Sequence, residues 1–284
     1  MRSMLFVPGD SLRKFQKART GTADVLILDL EDSVAAAGKV AARDTVRQML
    51  DDRGGKSAFV RVNAFDTGLT VADLAAVTAA RPDGIVLPKS ESVRDVERLS
   101  TLLDAFEAAH GIAPGTIGIV AIATETARSL FGLQSYTEAG PRLRGLMWGA
   151  EDLAASLGAS SNKAAGRYHS PFIQARDLCL AAAAAANVAA IDTVYTEIAA
   201  LDGLRLEAET ACRDGFTAKA VIHPSHVDVV NAAFTPTEDQ VEWARKVLAL
   251  TTDPAVGVLV LDGKMIDRPH VRAAERILAR AAPG

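Results

Sequence analysis

Two acidic residues, Glu125 and Asp152, are the strongest candidates for metal binding in this sequence. Glu125 follows the uncharged run 117–123, and Asp152 follows the mainly apolar run 143–150. Short apolar runs of this kind are typical of parallel strands that are buried on both faces. Because Mg²⁺ is usually bound by one or two carboxylates together with water and substrate oxygens, we predict a magnesium site at these residues. For either residue alone, a carboxylate that complements a helix N-terminus is the alternative.

Other charged residues follow further predicted strands. Arg61 closes an apolar run, and a buried guanidinium needs a partner, so it is predicted to bind a substrate carboxylate or oxyanion, to pair with Asp29 or Glu31, or to do both. Lys89 permits a Schiff-base aldolase as an alternative, but such a lysine needs a desolvated site. The histidines show neither HxH nor HExxH spacing, which argues against a zinc site.

A regular alternation of strands and helices positions these residues. The eight predicted strands are 4–7, 25–28, 58–62, 84–87, 117–123, 143–148, 190–195 and 218–222. The segments with helical spacing are 12–18, 34–50, 71–80, 93–109, 127–136, 171–186 and 204–213. Strict alternation predicts an α/β fold with a parallel sheet, and eight units favour a closed (β/α)₈ TIM barrel over an open doubly wound sheet. The active site of such a barrel lies at the carboxyl ends of its strands.

The chain continues beyond the eighth strand. We predict a barrel domain over residues 1–234 and a C-terminal helical extension over 235–284, which would pack as a lid, with a neighbouring subunit as its candidate partner. Pro236 is predicted at the first position of a helix. An apolar run at 256–261 and a last helix opened by Pro269, extending to residue 282, complete the extension.

The composition limits the classes of function. The chain has 284 residues, 49% of them hydrophobic, and a net charge of −4 without a run of Lys or Arg, which argues against a nucleic-acid partner. No apolar stretch reaches the ~20 residues that span a membrane, and the N-terminus does not have the pattern of a secretory signal. Cys179 and Cys212 are predicted as buried thiols. Together these features predict a cytoplasmic protein.

Nine short motifs, in order along nearly the whole chain, resemble the HpcH/HpaI aldolase–citrate lyase superfamily in its citrate lyase β-subunit-like branch. They cover residues 2–9, 29–34, 61–63, 86–89, 125–126, 149–153, 215–219, 222–225 and 263–267. The resemblance implies a magnesium-dependent barrel that acts on coenzyme A thioesters. It also implies a homo-oligomer, usually a trimer or hexamer.

The resemblance implies a role for each matching residue. Glu125 and Asp152 would be magnesium ligands, Arg61 would bind the oxo acid or stabilise an enolate, and Asp267 would be an acid/base that reaches a neighbouring subunit. Supporting carboxylates around the metal would be Asp29, Glu31 and Asp32, and cofactor contacts would come from Pro8, His223 and Pro224. For Asp267 the alternative is an ordinary helix N-cap.

The implied reaction is reversible cleavage of a 3-hydroxyacyl thioester, such as citryl-, malyl- or citramalyl-CoA, into a 2-oxo acid (oxaloacetate, glyoxylate or pyruvate) and acetyl-CoA. Three alternatives remain open. The chain could act on a citryl group bound to an acyl-carrier partner, as a metal-dependent aldolase on free 2-oxo acids, or as a non-catalytic assembly subunit.

Overall fold

A computed structural model describes residues 1–250 and 259–281, and eight of its strands close into a parallel barrel. In chain order the strands are β1 (Ser3–Pro8), β2 (Val25–Asp29), β3 (Ser57–Arg61), β4 (Gly84–Leu87), β5 (Gly118–Ile122), β6 (Leu143–Met147), β7 (Lys163–Ala164), β8 (Arg167–Tyr168), β9 (Ala189–Asp192), β10 (Ala218–Val221), β11 (Leu259–Leu261) and β12 (Lys264–Ile266). Around the barrel the order is β1, β10, β9, β6, β5, β4, β3, β2. The predicted barrel and its eight strands are therefore confirmed.

Helices alternate with the barrel strands. They are α1 (Leu12–Arg19), α2 (Lys39–Asp51), α3 (Thr70–Val77), α4 (Val93–Ala109), α5 (Ser129–Gly132), α6 (Glu151–Leu157), α7 (Ser170–Ala185), α8 (Leu201–Asp214), α9 (Val227–Phe234), α10 (Glu238–Leu250) and α11 (Arg268–Ala281). Seven of these match the predicted helical segments between the strands, with shifted ends. Helices α6 and α9 were not predicted.

The segment after β6 departs most from the prediction. The predicted run to residue 150 was too long as a strand, because β6 ends at Met147 and Asp152 lies in the first turn of α6. The hairpin of β7 and β8 was also missed. Its turn has Ala165 and Gly166 at positive φ (48° and 73°), as a two-residue type I′ turn requires. Alanine is unusual at such a position, so this turn has no clear signal in the sequence.

The barrel interior follows the alternation of side chains along each strand. Ile27 of β2 and Phe59 of β3 belong to the apolar core inside the barrel. Two residues further along each strand, Asp29 and Arg61 lie on the same inner face, and the two are partners in the β2–β3 register. The alternation thus places a carboxylate and a guanidinium at the carboxyl end of the barrel, next to the apolar core.

The described chain divides into two compact units, Met1–Asn231 and a second unit that starts at Ala232. The second has its own small core of Ala244, Val247, Ile266 and Ala274. A functional division at 234/235 into barrel and lid remains a prediction.

Within the second unit, the predicted place of Pro236 was wrong. Thr237 caps α10, because its hydroxyl accepts from the Gln240 N–H at 3.2 Å and the Gln240 side chain accepts from the Thr237 N–H at 2.9 Å. Of the predicted apolar run, residues 256–258 lie outside the described part, as does residue 282.

The prediction of buried thiols is confirmed for Cys179 and was wrong for Cys212. Cys179 is buried and Cys212 is half-buried, and within the described residues neither forms a disulfide. Among the described residues, no helix combines the length and the apolar character needed to cross a membrane.

Candidate active site

A cavity of about 400 Å³ opens at the carboxyl ends of the barrel strands. Its lining residues are Phe6, Pro8, Asp29, Asp32, Ser33, Arg61, Ile122, Glu125, Met147, Trp148, Gly149, Ala150, Glu151, Asp152, Thr193, Val194 and Ile222. The fold therefore brings six of the predicted site residues, from five different strand ends, to one cavity. This is the place where (β/α)₈ barrels carry their active sites.

Arg61 lies at the centre of a cluster of carboxylates. Its Nε and Nη2 donate to the two oxygens of Asp29 at 2.7 and 2.8 Å, and its Nη1 lies 2.9 Å from Glu31 Oε2. Burial acts to raise the pKa of Asp29, but the hydrogen bonds and charge of Arg61 outweigh it and lower that pKa. The pairing predicted for Arg61 is confirmed. Because the guanidinium has five N–H donors, it retains capacity for a further oxygen in the cavity.

Lys89 links two of the predicted carboxylates. Its Nζ lies 2.6 Å from Glu31 Oε1 and 3.6 Å from Asp152 Oδ1. Burial acts to lower the pKa of Lys89, but the hydrogen bond and charge of Glu31 raise it above its ordinary value. A Schiff-base lysine needs a lowered pKa, so this environment argues against that alternative.

Glu125 is held deep in the cavity, with 4% of the residue exposed. Its Oε2 accepts a hydrogen bond from the backbone N–H of Lys89 at 2.5 Å, and Lys89 adopts a positive φ of 51° there. On the other side, a Cβ on Gly149 would lie 2.7 Å from the Glu125 Cγ, so only glycine leaves room for the carboxylate. Burial, followed by the charge of Glu31, raises the pKa of Glu125 to about 8.

Asp152 lies at the more open side of the same cavity, with 36% of its side chain exposed. Glu125 and Asp152 together offer two carboxylates and no soft ligand. Within the described ranges, no group of three or more His, Cys, Asp or Glu is arranged to hold a metal ion. Two carboxylates beside open cavity space suit Mg²⁺, which keeps several waters and takes oxygens from its substrate.

A second cavity, of about 660 Å³, lies between β1, α1 and residues 222–224, which follow β10. The three residues predicted to contact a cofactor, Pro8, His223 and Pro224, all line it, and Pro8 lines the first cavity as well. The sequence reasoning missed the other feature of this cavity, the basic side chains Arg13, Lys14 and Lys17 of α1. Their signal was present, because α1 has no acidic residue and repeats basic ones at helical spacing.

Asp267 belongs to the second unit and directly precedes α11. Its Oδ1 lies 2.5 Å from Nδ1 of His270, and its own backbone N–H lies 3.2 Å from that same ring nitrogen. Its carboxylate is therefore engaged by an imidazole, which differs from the simple N-cap considered as the alternative.

A buried network supports one side of the first cavity, and the sequence did not indicate it. The Trp148 Nε1–H donates to Asp192 Oδ1 at 2.6 Å, and the other Asp192 oxygen accepts from Lys219 Nζ at 2.6 Å. Lys219 is fully buried and also donates to Glu207 at 2.9 Å. The ring of Tyr168, on the β7–β8 hairpin, meets Trp148 edge-on with the centroids 5.0 Å apart. The indole is thus fixed in orientation.

Comparison with known proteins gives consistent matches over the whole chain. The profile of the HpcH/HpaI aldolase/citrate lyase family matches residues 2–224. Citrate lyase subunit beta-like protein of Mycobacterium tuberculosis is 38% identical over 278 residues, 98% of this chain and 94% of that protein. (3S)-malyl-CoA thioesterase of Cereibacter sphaeroides is 34% identical over 290 residues, 99% of this chain and 94% of that protein. The crystal structure of CitE from M. tuberculosis with magnesium, acetoacetate and coenzyme A matches with a TM-score of 0.79 at 36% identity, covering 99% of this chain and 97% of CitE.

Proposed function

The chain belongs to the HpcH/HpaI aldolase/citrate lyase family, and on this premise we propose that it is a magnesium-dependent carbon–carbon lyase. Its substrate would be a 3-hydroxyacyl thioester of coenzyme A, cleaved reversibly to a 2-oxo acid and acetyl-CoA. One observation carries the proposal: the buried carboxylate of Glu125 shares a cavity with Asp152 and Arg61 at the carboxyl end of the barrel.

Glu125 and Asp152 would hold the magnesium ion. The relative CitE was crystallised with magnesium, and the donor set of this cavity fits that ion. Glu31 and Asp32, which surround Arg61, would orient waters near the metal, while Asp29 holds Arg61 in place. When bound, the cation would act as a Lewis acid on the oxygens of the 2-oxo acid.

The side chains of this chain would guide the movement of one electron pair and one proton. In cleavage, the 3-hydroxyl group loses its proton, the C2–C3 bond breaks, and its electron pair passes to the α-carbon of the thioester. The electron pair is shared with the thioester oxygen as an enolate. The N–H groups of Arg61 that Asp29 does not use would donate to this oxyanion. The α-carbon then accepts a proton, which completes acetyl-CoA.

Asp267 is the proposed acid/base, which would take the proton from the 3-hydroxyl group and return a proton to the α-carbon. We propose that it acts across a subunit boundary, which requires a homo-oligomer, a trimer or hexamer. The site would then be complete only in the assembled protein, and activity would fall on dilution through the range in which the oligomer dissociates.

The second cavity would bind the nucleotide part of coenzyme A. Arg13, Lys14 and Lys17 offer three cations for phosphate groups, and lysine is a common phosphate ligand. Because Pro8 lines both cavities, a thioester can extend from the second cavity into the first. His223 and Pro224 would contact the same cofactor.

The deciding experiment is the condensation of acetyl-CoA with glyoxylate, pyruvate or oxaloacetate. The measured quantities are the consumption of the 2-oxo acid and the formation of the hydroxyacyl thioester. Turnover should need Mg²⁺, stop with a chelator and return when Mg²⁺ is restored. The matched control is Asp152→Asn, which keeps the side-chain volume and removes the charge.

Other outcomes point to other reactions. Release of free coenzyme A from malyl-CoA without a 2-oxo acid would indicate a thioesterase, the activity named for the C. sphaeroides relative. Turnover of free 2-oxo acids alone would indicate an aldolase, and turnover with an acyl-carrier protein alone would indicate a citrate lyase subunit. Magnesium binding without any turnover would contradict the proposal and favour an assembly role.

A further inference from the structure

We infer that the 2-oxo acid of this site carries a small uncharged substituent at C2, as in glyoxylate or pyruvate, and that a substituent with a second carboxylate, as in oxaloacetate, is disfavoured. The inference rests on the proposed function and narrows its substrate. It follows from the charge of the cavity and from the apolar character of one of its sides.

The cavity already holds an excess of negative charge. Five carboxylates line it, those of Asp29, Asp32, Glu125, Glu151 and Asp152, against a single guanidinium, that of Arg61. Carboxylates thus exceed cations by four, and a divalent cation would offset two of these charges. The first carboxylate of the oxo acid adds one more. A second carboxylate would enter a site that repels it, because opposite charges must lie within a few ångströms to compensate it.

The cations nearest to the cavity are committed to protein carboxylates. Arg61 is paired with Asp29 and Glu31, and Lys89 with Glu31 and Asp152. Two cationic side chains thus share three buried or half-buried acids. Neither brings an uncompensated positive charge to a second substrate carboxylate.

The cations behind Trp148 are also paired. Lys219 contacts Asp192 and Glu207 at 2.6 and 2.9 Å, and Lys163 contacts Glu207 at 2.6 Å. Arg176 is paired with Asp214 at 2.9 Å. Turning Lys219 toward the cavity would leave the buried carboxylate of Asp192 without its main partner, which is costly, and turning Lys163 or Arg176 would give up an ion pair with Glu207 or Asp214.

One side of the cavity is apolar and rigid, while Ser33 and Thr193 contribute hydroxyl groups elsewhere in the lining. We call Ile122, Met147, Trp148 and Val194 the apolar wall. The first three are at most 3% exposed, and Val194 packs against the same core cluster as Ile122 and Met147. Because Asp192 fixes Trp148, this wall does not open easily to water. A hydrogen or methyl substituent packs well against it, whereas a carboxylate packed against these four side chains would lose hydration and gain no hydrogen bond from them.

The test is a series of oxo acids in the condensation with acetyl-CoA and Mg²⁺. We expect kcat/KM for glyoxylate or pyruvate to exceed that for oxaloacetate at least tenfold. The matched compound is 2-oxosuccinamate, the neutral 4-amide of oxaloacetate, which has nearly the same size and lacks the second charge. It should recover a large part of the loss. Equal or better turnover of oxaloacetate overturns the inference, and so does an amide that is as poor as oxaloacetate, since size and not charge would then discriminate.

Two further measurements separate this inference from the proposed function. The first is the shift in the midpoint of thermal unfolding with each oxo acid and Mg²⁺, which needs no turnover. If no oxo acid is condensed, the proposed function fails, but a shift by pyruvate and none by oxaloacetate still supports the inference, and equal shifts overturn it.

The second compares Val194→Lys with Val194→Gln, which has a similar length and no charge. The lysine should raise the ratio of oxaloacetate to pyruvate turnover at least tenfold, and glutamine should not. An unchanged ratio in a folded lysine variant contradicts the charge argument. The wild-type series decides the question by itself if the lysine variant does not fold.

Discussion

Magnesium binding should release a proton from Glu125 near neutral pH. The carboxyl group is buried and close to Glu31 and Asp152, which raises its pKa to about 8. The metal-free protein therefore holds this proton at pH 7, whereas a metal ligand must be ionised. With a pKa of about 8, roughly 0.9 of the molecules are protonated at pH 7, so about 0.9 proton leaves per bound ion.

The same linkage fixes the dependence of magnesium affinity on pH. Below the pKa, each unit of pH changes the fraction of ionised Glu125 about tenfold, and above it the fraction is nearly constant. Between pH 6.5 and 8.5 the affinity should thus rise about 25-fold, or about 1.9 kcal/mol of binding free energy.

Isothermal calorimetry in buffers of different ionisation enthalpy measures this release directly. The slope of the observed binding enthalpy against the buffer enthalpy gives the number of protons exchanged. The matched control is Glu125→Gln, which keeps the size of the side chain and has no proton to release. The reasoning is refuted if the wild-type protein binds Mg²⁺ at pH 7 with a slope near zero, or if its affinity stays constant over this pH range.

Four further results should follow from the site. The pKa of Glu125 in the folded protein lies above its value of 4.5 in the unfolded chain, so the metal-free protein should lose stability as pH rises from 4.5 through 8. Denaturant titrations at several pH values measure this loss, and the Glu125→Gln variant should show less of it. Asp152→Ala should lower magnesium affinity steeply and keep the circular dichroism spectrum of the fold; an unchanged magnesium titration would remove Asp152 from the site. Arg61→Lys should lose at least tenfold in kcat/KM, about 1.4 kcal/mol, because lysine cannot form the two-point pair with Asp29 and present further donors; wild-type kinetics would leave Arg61 with a structural role. Mixed oligomers of inactive Asp267→Ala and inactive Asp152→Ala chains should regain part of the activity if the site is shared between subunits, and inactive mixed oligomers would exclude a shared site. An Asp267→Asn variant that stays active would indicate that Asp267 is only a helix cap.

The pattern of the sequence was sufficient for the barrel because its strands are buried on both faces. Such strands appear as short uncharged runs, and the segments between them repeat apolar residues at helical spacing. The pattern does not determine where each element ends. Residues 148–150 are as apolar as β6 itself, so hydrophobicity alone did not separate the strand from the buried turn before α6.

The candidate residues were also within reach of sequence reasoning. In a parallel barrel every strand ends at the same rim, so a charged residue that follows an apolar run is directed to that rim. This rule places Asp29, Arg61, Glu125 and Asp152 together from the sequence alone. The pairing of Arg61 with Asp29 or Glu31 follows from the cost of burying the guanidinium without a partner.

The sequence by itself determined the fold class, the rim that carries the chemistry and the types of side chain found there. The tertiary structure alone decided which charges neutralise each other and how deeply each is buried. Lys89 meets Glu31, 58 positions away in the chain, and its backbone N–H reaches Glu125 from a residue with positive φ. The raised pKa of Glu125 depends on these contacts. The physical reason is that the charge state of a buried group depends on the groups within a few ångströms of it, and closure of the barrel brings those groups from distant parts of the chain.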